Sequence, residues 1–86
     1  MDEKMSLLML RMDIAAIDVE MLSALAKRSR LVQKVKELKK DAQLPARDGG
    51  YELEVIERLT QCNISLYPDL AIKRIWEAIF DGSEEI

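Results

Sequence analysis

The chain has 86 residues, enough for one small domain spanning 1–86 and too few for a large core of its own. One cysteine and no histidine exclude a disulfide framework and a cysteine-based metal site, and remove the commonest metal ligand and general base. A formal charge of −3 argues against a general nucleic-acid binder, and no apolar run is long enough to span a membrane.

Residues 1–5 are expected to fray. Their acids stand where a signal peptide needs positive charge, which predicts a cytoplasmic protein. Ser6 is the candidate N-cap of the first helix. From Leu7 to about Ala42 the sequence has no Pro and no Gly. Its apolar residues recur at steps of four and three: Leu10, Ile14, Ile17, Met21 and Ala24, then Leu31, Val35, Leu38 and Ala42. That heptad seam predicts one long helix packed against other helices. Arg28 interrupts it. A guanidinium on an apolar seam is costly unless an anion meets it. Arg28 is therefore either half of a register-setting ion pair or part of an anion site.

A helix of some 36 residues is about 54 Å long, whereas a compact chain of this size has a radius of gyration near about 12 Å. Its seam would protrude, and a two-fold homodimer is the commonest way to cover it. Between Lys27 and Lys40 seven basic residues and one acid, Glu37, give a local excess of +6. This is either a solvated face or a site for a small polyanion; no aromatic interleaves it, so nucleic acid ranks last. Beside the seam runs a second row: Arg11, Asp18, Leu25, Val32 and Lys39. Arg28 and Lys39 lie about 16 Å apart along a helix axis, close enough for two long side chains to reach one small anion. Arg11 is about 25 Å from Arg28. In an antiparallel dimer with its two-fold near residue 22, Arg11 of the partner subunit would fall between Arg28 and Lys39.

Residues 41–50 read as a connection, with Pro45 unable to continue a helix, Gly49-Gly50 as punctuation and Asp48 as a cap or turn former. A second helix is expected over Tyr51–Cys62, its apolar surface supplied by Leu53, Val55, Ile56 and Leu59, with Cys62 packing as a small hydrophobe. Asn63-Ile64-Ser65 matches a glycosylation sequon that a chain without a secretory signal does not use. Pro68 suits the first turn of a third helix, Asp69 its positive end, and Ile72, Ile75, Trp76, Ile79 and Phe80 form its apolar face. Gly82 is expected to end it. The fold class is all-α: three helices, the first very long.

Leu10-Arg11, Ile14, Ile17-Asp18, Leu22, Leu25, Arg28, Val35, Lys39, Pro45, Arg47-Asp48, Glu52 and Glu57-Arg58-Leu59 together resemble the all-helical class of chorismate mutases. The resemblance covers residues 7 to about 83. It implies an intertwined antiparallel homodimer that converts chorismate to prephenate, a Claisen rearrangement on the route to phenylalanine and tyrosine. Such a pericyclic step needs no metal or cofactor, only a held conformer and a stabilised ether oxygen. The resemblance assigns Arg28 to one substrate carboxylate and Arg11 of the partner subunit to the other. Lys39 would donate to the ether oxygen, and Glu52 would accept from the ring hydroxyl. The Asp48 backbone would assist there, and Ser83 would touch a carboxylate.

Two departures qualify that expectation. Tyr51 stands where the family commonly has Arg, behind Gly49-Gly50. The family's Gln or Glu donor one turn after Ser83 would fall at position 87, past Ile86, which predicts weak activity unless a partner enzyme activates the chain. The alternatives are a sensor of chorismate-like ligands, an inactive homologue, or an enzyme acting on isochorismate or aminodeoxychorismate. A pure dimerisation module has no use for Arg11, Arg28, Lys39 and Glu52 together.

Overall fold

A computed structural model describes residues 2–86. It contains three helices: α1, Glu3–Asp41; α2, Gly49–Gln61; and α3, Asp69–Ser83, with no strand among the described residues. The all-α class and the helix order are as expected from the sequence. The chain divides into two compact units, one ending at Leu31 and the other running from Val32 to Ile86.

The first unit is helical from Glu3 onward. Asp2, not Ser6, caps it: the Asp2 carboxylate accepts from the Met5 N–H at 2.7 Å, three residues on, and the Asp2 carbonyl accepts from the Ser6 N–H at 3.0 Å. An aspartate satisfies an orphan donor and complements the helix dipole at once, so the helix begins earlier than expected. The fraying expected over residues 1–5 is not seen at residues 3–5, and Met1 lies outside the described residues. No residue of α1 is fully buried. Leu10, Ile14, Ile17 and Met21 are each more than half exposed, while Arg28 and Ser29 are half-buried.

The second unit holds the last turns of α1 and all of α2 and α3. α2 and α3 pack together, burying Val55 and Phe80. Ile56, Leu59, Ile72, Trp76 and Ile79 are half-buried around them, and Leu53 faces solvent instead of joining this core. On the part of α1 that belongs to this unit the half-buried positions are Val32, Lys36 and Lys39, one stripe at helical spacing. The seam residues beside them, Val35 and Leu38, stay exposed. Within this unit the chain's own folding therefore half-covers Val32 and Lys39 of the second row and leaves the seam residues Val35 and Leu38 open, whereas Arg11, Asp18 and Leu25 of that row are exposed.

The helix ends follow local chemistry. α1 closes in a Schellman motif: Gln43 takes a left-handed φ of 56°, its N–H bonds the Lys40 carbonyl, and the Leu44 N–H reaches the Lys39 carbonyl at 2.8 Å. Asp48 is the N-cap of α2, accepting from the Tyr51 N–H at 3.1 Å. Gly49 and Gly50 belong to the first turn of α2 and not to the connection, where helix-opening N–H groups have no internal partner in any case. Pro68 is the N-cap of α3, one residue before its first turn. α3 runs through Gly82 to Ser83, with Glu84 in right-handed helical geometry, so no left-handed glycine is needed. Lys36 supports that end by donating, just past it, to the backbone oxygens of Glu84 at 3.0 Å and Ile86 at 2.9 Å. Cys62 is the C-cap of α2 and is exposed, not packed. Between α2 and α3, the Asn63 amide donates to the Tyr67 carbonyl and Asp69, and accepts from the N–H and hydroxyl of Ser65. The sequon asparagine is thus the organiser of its own loop.

Candidate active site

The polar groups of the second unit gather around the segment that joins α1 to α2. Lys39, in the last turn of α1, donates from Nζ to the Ala46 carbonyl at 3.3 Å. The next residue, Arg47, turns its guanidinium onto Glu52, in the first turn of α2. Nε reaches Oε2 at 2.8 Å and Nη2 reaches Oε1 at 3.0 Å, a two-pronged pair that fixes the carboxylate plane. The same guanidinium extends to α3, where Nη2 donates to Asp81 Oδ1 at 2.9 Å and Nη1 lies 3.1 Å from Glu84 Oε1. Exposure is graded across this cluster. The Glu52 side chain is 19% exposed, Arg47 39%, Glu84 57% and Asp81 70%. The carboxylates, Glu52 foremost, then Asp81 and Glu84, push the Arg47 pKa further above the ordinary arginine value, so it is a cation at any working pH.

Ser83 sits between Asp81 and Glu84 in sequence and is half-buried. Its hydroxyl donates to the Ile79 carbonyl one turn back, at 2.7 Å. Each Glu52 oxygen accepts one bond from Arg47 and has a further lone-pair direction for another donor. Of the residues singled out from the sequence, Lys39, Asp48, Glu52 and Ser83 belong to this unit. Arg47 ties Glu52 to the turn that carries Ser83, Asp48 caps the helix on which Glu52 stands, and Lys39 touches the segment between them. Arg11 and Arg28 belong to the first unit, Arg11 exposed and Arg28 half-buried.

Arg47 is the residue to which sequence reasoning gave no role. Its only local signal is its position five residues ahead of Glu52. Its bond to Asp81 spans 34 residues, a separation no periodicity marks. Among the described residues no group of three or more His, Cys, Asp or Glu side chains is placed to hold a metal ion, and no helix is long and apolar enough to cross a membrane.

A family model described as chorismate mutase type II matches residues 10–86. Two solved structures of chorismate mutase from Thermus thermophilus are similar to this chain. Form II has 31% identity and a TM-score of 0.91, over 94% of this chain and 92% of that one. Form I has 32% identity and a TM-score of 0.87, over 91% of this chain and 98% of that one. No curated protein matches the sequence.

Proposed function

The chain belongs to the chorismate mutase type II family and is a chorismate mutase, an isomerase converting chorismate to prephenate; from that premise we propose how its residues divide the work. The whole chain acts as one catalytic domain in an intertwined antiparallel homodimer. Arg28 grips one carboxylate of chorismate and Arg11 of the partner subunit the other, each as a guanidinium fork matched to a carboxylate. Lys39 donates to the ether oxygen, Glu52 accepts from the ring hydroxyl with the Asp48 backbone beside it, and Ser83 touches a carboxylate.

The reaction breaks a carbon–oxygen bond and forms a carbon–carbon bond within one molecule, so no group need gain or lose a proton. Two contributions carry the rate: holding the compact conformer in which the reacting carbons meet, and stabilising the negative charge that gathers on the ether oxygen. Lys39 is suited to the second because its present acceptor, a carbonyl at 3.3 Å, is weaker than an oxygen that becomes more basic as the bond breaks. Glu52 is suited to the ring hydroxyl because its plane is already fixed from behind by Arg47. Ser83 needs only a rotation of its O–H away from the Ile79 carbonyl to donate to a carboxylate.

The observation that carries the homodimer is the open seam: Leu10, Ile14, Ile17 and Met21 on one helix, each more than half exposed. A contiguous apolar stripe of this kind is what a second copy of the same helix covers. We place the protein in the cytoplasm, on the route to phenylalanine and tyrosine, and leave room for a partner enzyme that raises its activity. Incubation of the purified chain with chorismate, with the product identified by chromatography, tests the reading. Prephenate should form well above the uncatalysed rate. Turnover no faster than the uncatalysed reaction, from a folded dimer without any partner enzyme, would overturn the proposed residue roles for the chain acting alone.

A further inference from the structure

We infer that Arg47 is the positioning residue of this site, holding the Glu52 carboxylate and the last turn of α3, which carries Ser83, in one register. The inference rests on the reading of Glu52 and Ser83 as substrate-facing groups. Four contacts from one guanidinium support it: two to Glu52, one to Asp81 and one to Glu84. A surface ion pair needs one partner, and at this exposure contributes little to stability because water screens it. Here three carboxylates surround one cation, and the fork points its paired donors at the least exposed of them. Asp81 and Glu84 flank Ser83 on both sides, so the same cation that orients Glu52 also fixes the end of α3.

A flexible glutamate has three side-chain torsions to order before it can meet a hydroxyl, and a two-pronged guanidinium removes that freedom in advance. Lysine in its place keeps the charge but loses the planar fork. Misplacing a contact group by about 1 Å costs on the order of a hundredfold in rate in unfavourable cases. Arg47→Lys is therefore expected to lower kcat/KM about tenfold or more while the protein stays folded.

The test is a double-mutant cycle in the full chain with chorismate as substrate, each variant checked for helicity and thermal midpoint. Arg47→Lys should divide its loss between KM and kcat in the same proportion as Glu52→Gln. The loss in the double variant should fall short of the product of the two single losses, because both act through one carboxylate. Multiplying losses, or native kinetics in Arg47→Lys beside an impaired Glu52→Gln, would overturn the inference and leave the role of Glu52 standing. Native kinetics in Glu52→Gln would remove that role, and the inference with it. If Arg47→Lys does not fold, the exposed Asp81→Asn carries the test, since it loosens only the tie to α3. A severalfold loss in kcat/KM then supports the inference, and an unchanged value overturns it.

Discussion

At Lys39 the ammonium rests on a carbonyl at a long 3.3 Å, a contact that gives way readily to a more anionic acceptor. If that acceptor is the ether oxygen in the transition state, Lys39→Ala should lower kcat by about a hundredfold or more while ligand affinity changes little. Steady-state kinetics, with calorimetric binding of an unreactive dicarboxylate analogue, separates the two quantities. An unchanged kcat would move the ether-oxygen role to another group. Arg28 is expected to behave differently, because a guanidinium holding a ground-state carboxylate contributes to binding as well as to turnover. Arg28→Ala should weaken binding of the analogue about tenfold or more, in addition to abolishing activity. The sequence made Arg28 visible because it is a cation on an apolar seam, whereas Lys39 and Glu52, unremarkable singly, were raised only by the joint pattern of the resemblance. Arg47 does not depart from its surroundings. Its importance depends on Asp81 and Glu84, which only folding brings to it.

Among the helices, the start of α2 was legible from local chemistry, whereas the Asp2 cap of α1, equally local, was passed over for Ser6, and the end of α3 depends on tertiary context. Asp48 was readable as a cap because its partner, the Tyr51 N–H, is three residues away. The end of α3 was misjudged because glycine at position 82 suggested a left-handed terminus. The helix instead continues, supported from α1 by Lys36. The two sites that bear on helix termination are thus filled in an unexpected way. Gly82 lies within a helix where an added Cβ meets nothing within 4 Å, and Gln43 occupies the left-handed position at the end of α1. Gly82→Ala should therefore stabilise the protein by roughly 0.5–1 kcal/mol, since glycine is a poor helix former. Gln43→Gly should stabilise it by up to about 1 kcal/mol, by relieving the contact between Cβ and the following carbonyl oxygen. Thermal or urea unfolding measures both. A fall in stability at Gly82 would mean that this face of α3 is covered by something larger than water.

For the molecule as a whole, the informative finding is which stripe of α1 the chain covers by itself. The heptad seam was plain in the sequence, and its length led to the expectation that a second copy of the chain covers it. In the second unit it is the row through Val32, Lys36 and Lys39 that is half-buried, while Val35 and Leu38 remain exposed. A pattern of apolar residues shows that a stripe is meant to be buried; it does not show what buries it. With sites shared between subunits, mixing Arg11→Ala with Arg28→Ala protein should restore activity. Hybrid dimers would place both losses in one site and leave the other intact. Hybrids shown to form but remaining inactive would rule out a shared site. The small core has a further consequence. Only Val55 and Phe80 are buried among the described residues, so in the proposed homodimer the folded state would draw its remaining stability from association and obey mass action. The thermal midpoint should then climb with protein concentration. In a cell the fraction of folded enzyme would depend on how many copies are made, so that halving expression would remove more than half of the activity.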